Sequence, residues 1–354
     1  MTEKVLMSGN HVIGEAAIRA GCRFYAGYPI TPQNELTEYM AGAMAKLKDG
    51  TFIQAESELA AINMVLGASA AGCRAMTSSS SPGISLKQEG ISFLSAMDLP
   101  AVIVNCMRGG PGLGNISPSQ GDYFQATRGG GHGDYRNIVL GPATAQELAD
   151  LTMLAFDYAD KYRTPVMILQ DGMMGQMMEP AVMPDPVDPK RLPPKPWKLD
   201  GADGRPSRII KSLYLDPAEE EQINWNLAHK YEKITDEIQR AETYRTDDAQ
   251  IIIVAYGTAA RIAKGAVNRV REKGVKAGLF RPISLWPFPT RILKEVNKKV
   301  KDFLVFEMST GQMVEDVRLS LEGKGNVRFY GRPGGVVSTP IEIAEVIEGK
   351  FGRV

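Results

Sequence analysis

Cysteine is scarce in this chain: three in 354 residues, Cys22, Cys73 and Cys106. They stand far apart and form no C-x-x-C pair, so the chain lacks the ligand set of an iron–sulfur cluster or a structural zinc. So few thiols also argue against a disulfide framework, and a reducing cytoplasm is the expected compartment. Net charge is missing too. The 41 basic residues are balanced by 41 acidic ones, so nothing draws the whole surface toward nucleic acid or an anionic membrane. No G-x-G-x-x-G occurs, and Gly9 and Gly14 have P-loop spacing but carry Glu15 where lysine is needed. A dinucleotide or nucleotide-triphosphate site of those kinds is therefore rejected. Apolar runs fall short of the roughly 20 residues a membrane span needs. The opening Met1-Thr2-Glu3-Lys4-Val5 reads as the start of a strand and shows no leader.

What is there centres on Gln54-Ala55-Glu56-Ser57-Glu58-Leu59-Ala60-Ala61 and the run after it to Gly72. Past Glu58 no charge occurs until Arg74, and Ala60, Ala61, Gly67, Ala68, Ala70, Ala71 and Gly72 keep the run small. This predicts a buried helix packed closely on its neighbours, following a strand end at Thr51-Phe52-Ile53. Two roles are open to the carboxylates at its mouth. With Ser57 they can satisfy free N–H groups at the positive end of the helix dipole. Alternatively, one is held in an apolar cavity to exchange a proton with a ligand.

Residues 1 to about 180 alternate β-like runs with helical patterns, which predicts a mostly parallel sheet with helices on both faces. Residues 24–32 predict a strand and a turn, then a helix from about Gln33 with Thr31 as N-cap and Pro32 at the first helical position. The same turn can instead offer a free Thr31 hydroxyl at the carboxyl end of a strand, where such sheets bind ligands. Met76-Thr77-Ser78-Ser79-Ser80-Ser81-Pro82-Gly83 predicts a polar loop, binding an anion through its N–H groups or merely leading into a helix over 84–94. Residues 101–106 read as a buried strand, running into Met107-Arg108-Gly109-Gly110-Pro111-Gly112-Leu113-Gly114-Asn115. Glycine at that density lets backbone approach a ligand. Arg108 can grip a carboxylate through two parallel bonds, or be a surface arginine beside a loose loop. Pro180, Pro184, Pro186, Pro189, Pro193, Pro194 and Pro196, followed by a charged helical stretch over 215–245, mark a connector. The α/β pattern that resumes at about 250 carries no catalytic constellation and reads as support.

Together, Gly27-Tyr28-Pro29-Ile30-Thr31-Pro32, Gln54-Ala55-Glu56-Ser57-Glu58, Ser78-Ser79-Ser80-Ser81-Pro82-Gly83, Arg108-Gly109-Gly110-Pro111-Gly112-Leu113-Gly114 and the turn Phe280-Arg281-Pro282 resemble the α subunit of 2-oxoacid:ferredoxin oxidoreductases. The resemblance spans essentially the whole chain. The branched-chain (2-oxoisovalerate) type is the nearest match, and the 2-oxoglutarate type comes next. It implies an α/β fold with a thiamine-pyrimidine-binding parallel-sheet domain at 1–180 and a connector at 181–248. A smaller domain like the C-terminal domain of transketolase follows at 249–354.

By that resemblance, thiamine diphosphate is shared with a β subunit. Glu58 pairs with N1′ of its aminopyrimidine, where a facing carboxyl favours the tautomer able to take the thiazolium proton. Tyr28 and Pro29 are expected against the cofactor, and Thr31 and Arg108 against the 2-oxoacid. Motif alignment selects Glu58 over Glu56. The Gly-Asp-Gly segment that usually holds diphosphate and Mg²⁺ is missing, Asp171-Gly172 being its nearest fragment. Mg²⁺ and [4Fe-4S] clusters are therefore expected in partner chains: a β subunit, a γ subunit and a ferredoxin-like δ subunit. The implied reaction takes a 2-oxoacid, coenzyme A and oxidised ferredoxin to acyl-CoA, CO₂ and reduced ferredoxin. A non-catalytic assembly subunit, in which Glu58 only caps its helix, is the reading of another class.

Overall fold

The computed structural model describes residues 4–349, so of the opening stretch only Lys4 and Val5 fall within it, in strand β1 (Lys4–Ser8). Next come α1 (Gly9–Arg19), β2 (Phe24–Gly27), α2 (Asn34–Met44), β3 (Thr51–Gln54), α3 (Glu58–Ala70), β4 (Ala75–Ser79), α4 (Ser81–Ala96) and β5 (Ala101–Met107). Then follow α5 (Tyr123–Arg128), β6 (Ile138–Leu140), α6 (Ala145–Tyr162), β7 (Pro165–Asp171), α7 (Gly172–Gln176) and β8 (Met178–Val182). Every residue of β5, β6 and β7 is buried, as strands of a parallel sheet covered on both faces require.

The sheet is seven-stranded, ordered β12-β6-β7-β5-β4-β2-β3, with β12 (Ser284–Trp286) lying antiparallel on β6 and the other pairs parallel. Helix α1 packs on α2 and α6, and α3 packs on α4, which covers both faces. Strands β2 and β4 are neighbours whose onward connections diverge, β2 leading outward to β3 and β4 the other way to β5. This is the topological switch point of the sheet, where the carboxyl ends of the strands open a crevice.

The prolines after β8 form a strap laid on this unit. Val187 N–H donates to the Arg19 carbonyl and Leu199 N–H to that of Ala70. Lys195 pairs with Asp160 at 2.9 Å. The charged stretch is helical only over α8 (Pro217–Glu237); β9 (Ala241–Tyr244) then joins the next sheet. That sheet contains β10 (Ile251–Val254), β11 (Ala277–Pro282), β13 (Asp302–Glu307) and β14 (Asn326–Gly331), in the order β14-β13-β10-β11-β9. Its helices are α9 (Gly257–Glu272), α10 (Thr290–Lys299), α11 (Met313–Leu321) and α12 (Pro340–Ile347).

Arg281 lies within β11, so the expected turn at Phe280-Arg281-Pro282 is the end of a strand. Its guanidinium takes both oxygens of Glu147 on α6 and donates from Nε to Glu242 on β9 at 2.8 Å. Gln120 adds a second tie, donating to the Tyr256 carbonyl at 2.9 Å and accepting from Met308 N–H at 3.0 Å.

Helix α3 departs from expectation on one side. Ala61, Ile62, Val65, Ser69 and Ala70 are buried, but Leu59, Asn63 and Gly67 form an exposed stripe at four-residue spacing. The absence of charge in the run does not bury it all round within this chain.

Candidate active site

Four strand ends meet at the switch point, and each delivers a segment singled out in the sequence. After β3, Ser57 caps α3 by accepting from Ala60 N–H at 3.1 Å. The cap directs the two carboxylates apart: Glu56 is exposed, whereas Glu58 is 6% exposed. Capping is thus done by Ser57. Among the described residues no side chain or backbone N–H donates to the Glu58 carboxylate, although burying one without partners is costly.

After β4 the serine run is not a loop. Ser78 and Ser79 end the strand, Ser80 stands at the cap position of α4, and Ser81 begins the helix. The reason is hydrogen bonding across the crevice. Ser81 Oγ donates to Asp122 Oδ2 at 2.6 Å and accepts from Arg108 N–H at 3.0 Å. Ser78 joins a buried network with Gln33 Oε1 and the Tyr25 hydroxyl. Ser79 Oγ and Ser80 Oγ are fully buried and have no hydrogen-bond partner among the described residues. Gly83, in the first turn of α4, leaves the space that Ser79 Oγ shares with Glu58. A Cβ there would lie 2.6 Å from Glu58 Oε1 and closer still to Ser79 Oγ.

After β2, Tyr28 and Pro29 are exposed and Thr31 is half-buried, its hydroxyl making no hydrogen bond among the described residues. Thr31 is not the N-cap of α2. That helix begins at Asn34, and the Thr31–Pro32 peptide is cis. Gln33 fixes the turn from beneath, its side chain held by Ser78 and by Thr37 at 3.2 Å.

After β5, Arg108 is 7% exposed and not a surface group. Its Nη1 donates to the Thr31 carbonyl at 3.0 Å and its Nη2 to the Leu113 carbonyl at 3.1 Å, lacing the β2 turn to the glycine loop. Its Nε is buried without a hydrogen-bond partner among the described residues. The loop closes through Asn115 N–H on the Gly109 carbonyl at 2.9 Å, with Gly112 and Gly114 at φ +70° and +60°. Between this loop, the start of α4 and segments 309–312 and 333–334 lies a cleft of about 420 Å³. Asp122 lines it, its carboxyl raised above the usual range by burial and partly restored by Ser81 and Asn105.

Asp171, the nearest fragment of a diphosphate motif, points elsewhere. It is 1% exposed and caps α7 through Met173 and Met174 N–H at 3.0 and 3.2 Å. Among the described residues no cluster of three or more His, Cys, Asp or Glu is disposed to hold a metal, and no helix is long and apolar enough to cross a membrane. The sequence reading missed Lys87, which is buried beside Glu58 with its Nζ 3.3 Å from the Glu58 carbonyl. A lone lysine between Leu86 and Gln88 carries no pattern that could have marked it.

Comparison with known proteins converges on one family. Residues 15–245 match the profile of pyruvate flavodoxin/ferredoxin oxidoreductases, thiamine diphosphate-binding, and residues 249–343 match pyruvate:ferredoxin oxidoreductase core domain II. The chain is 48% identical to ketoisovalerate oxidoreductase subunit VorB of Methanothermobacter thermautotrophicus, over 97% of this chain and 96% of that one. Subunit KorA of 2-oxoglutarate synthase from Methanocaldococcus jannaschii is 37% identical, over 97% and 99%. Among solved structures, 2-oxoglutarate:ferredoxin oxidoreductase from Magnetococcus marinus superposes with a TM-score of 0.87 at 28% identity, covering 99% of this chain and 65% of that one. A split-gene transketolase at 13% identity, with a TM-score of 0.60 over 97% of each chain, shares the fold. The switch-point crevice, the two α/β units and these matches together make the chain a member of the 2-oxoacid:ferredoxin oxidoreductase family.

Proposed function

We propose that this chain is the pyrimidine-side subunit of a thiamine diphosphate-dependent 2-oxoacid:ferredoxin oxidoreductase. The complex converts a 2-oxoacid, coenzyme A and oxidised ferredoxin into acyl-CoA, CO₂ and reduced ferredoxin. One observation carries the reading: the Glu58 side chain is buried at the switch point, and its carboxyl has no hydrogen-bond partner among the described residues. The missing side chain at Gly83 makes room for the Glu58 carboxyl beside the Ser79 hydroxyl, and a carboxyl kept there suits a heterocycle presenting a ring nitrogen. When bound, the cofactor supplies a carbon able to hold the electron pair released as the 2-oxoacid loses CO₂.

The chain's own residues do the rest. Glu58 shares a proton with N1′ from a site sheltered from water. Tyr28 and Pro29 border the cofactor. Thr31 offers its hydroxyl, and Arg108 its remaining N–H donors, to the 2-oxoacid carboxylate. Domain boundaries at about 180 and 248 follow the strap between β8 and β10.

A β subunit carrying diphosphate, Mg²⁺ and a [4Fe-4S] cluster completes the site, with a γ subunit and a ferredoxin-like δ subunit. Supporting this, Asp171 is committed to a helix cap, and exposed apolar side chains surround the crevice: Tyr28, Leu59, Leu113 and Ile116 are 38%, 45%, 80% and 63% exposed. Such a surface fits a covered interface. Branched-chain 2-oxoacids such as 2-oxoisovalerate are the substrates. The 48% identity to a ketoisovalerate oxidoreductase subunit, against 37% to a 2-oxoglutarate synthase subunit, favours them. Ferredoxin reduction by the co-purified complex, over a panel of 2-oxoacids, tests this. Dependence on thiamine diphosphate and coenzyme A with branched-chain acids fastest is expected; preference for 2-oxoglutarate overturns the substrate assignment. Full turnover after Glu58→Gln would leave only an assembly role.

A further inference from the structure

Lys87 is fully buried on α4, and its ammonium forms no ion pair within 4.0 Å among the described residues. It donates instead to the Glu58 carbonyl at 3.3 Å and to Thr77 Oγ1 on β4 at 3.0 Å. Packing alone would be served better by leucine or methionine, because an unpaired buried ammonium is among the most expensive groups to keep. Its position is specific: the carbonyl it grips belongs to the residue that opens α3 and carries the unpartnered carboxyl.

We propose that Lys87 is a positioning residue for Glu58, tying the Glu58 carbonyl to Thr77 of β4 and so holding the first turn of α3, and with it the Glu58 side chain, in place. This rests on the reading of Glu58 as the cofactor's proton partner. Burial pushes the Lys87 ammonium down to about 7, the Glu58 charge opposing that. From the other elements packed on α4, β4 presents the neutral Thr77, whereas Cys106 on β5 and Asp171 on β7 act on one another. Loss of the Lys87 charge near neutrality therefore gives the contact a pH-dependent readout.

The test uses the reconstituted complex carrying Lys87→Met, Thr77→Val or Glu58→Gln. Lys87→Met should lower kcat roughly 10- to 100-fold with the 2-oxoacid KM within about twofold, as for a misaimed catalytic group. Its kcat–pH profile should lose an inflection near neutrality. Thr77→Val, nearly the same shape, keeps the ammonium but removes an acceptor, so the inflection should move to lower pH; this variant carries the test if Lys87→Met does not fold. A readout independent of turnover is denaturant unfolding of the full chain. Between about pH 7 and 10.5 the unfolded lysine binds a proton that the folded one does not. Stability of the unsubstituted chain should therefore rise with pH across that window relative to Lys87→Met. Unchanged kcat and pH profiles in both variants, with Glu58→Gln inactive, would overturn the role of Lys87 and leave Glu58 standing. Turnover surviving Glu58→Gln would remove both.

Discussion

Gly83 and Glu58 share one volume: a side chain at 83 would begin 2.6 Å from Glu58 Oε1. In a free helix, glycine to alanine gains stability. Here Gly83→Ala forces the carboxyl or Ser79 aside. The expected result is a folded subunit destabilised by about 1–3 kcal/mol, as for overpacking, with turnover falling far more than the loss of folded protein explains. Thermal unfolding beside ferredoxin reduction measures both. An unimpaired enzyme would show that the volume is not used.

Arg108 holds two loops from one guanidinium, through the Thr31 and Leu113 carbonyls. Lysine is long enough for one but lacks the fork. Arg108→Lys should lower kcat/KM for the 2-oxoacid by about 1–3 kcal/mol, the range for a buried group left unsatisfied, or roughly 5- to 150-fold. The loss should sit mainly in KM, and steady-state kinetics over 2-oxoacid concentration separates the two.

The exposed stripe of α3 predicts an assembly phenotype. Leu59 is 45% exposed and adjoins Glu58 in sequence. Leu59→Arg should leave the stability of the isolated chain within about 0.5 kcal/mol, as for surface substitutions. It should nevertheless abolish co-purification of partner subunits, because an unpaired charge would be buried. Normal recovery of the complex would remove this face from the interface.

Much of this architecture was legible in the chain. The apolar runs of β5 and β7 declare central parallel strands because both faces are covered. Glu56 and Glu58 stood out as charges at the head of a long uncharged run, the family motif choosing Glu58 between them, and Arg108 as a cation at a strand's carboxyl end. Other features depend on contacts between distant residues. The serine run resembles a loop in composition, yet Ser78 and Ser81 are claimed by Gln33, Tyr25, Asp122 and Arg108. Thr31 followed by proline resembles a helix start, but α2 begins only at Asn34, with the Gln33 side chain held by Ser78 of β4 and by Thr37. The stripe of Leu59, Asn63 and Gly67 is as free of charge as the buried face, so charge does not mark it, and Asn63 is its one strongly polar side chain. Strand β12 pairs with β6 across more than a hundred residues, a register no local pattern encodes.

In the proposed function, the Glu58 carboxyl exchanges a proton with the pyrimidine ring of bound thiamine diphosphate. Deuterium exchange at the thiazolium C2 of the cofactor, followed in reconstituted complexes with and without Glu58→Gln, measures that step before any 2-oxoacid is added. Exchange slowed by roughly 100-fold or more is expected, the scale of a lost general acid–base group, with cofactor still bound. Exchange at the unsubstituted rate in a cofactor-loaded Glu58→Gln complex would contradict it.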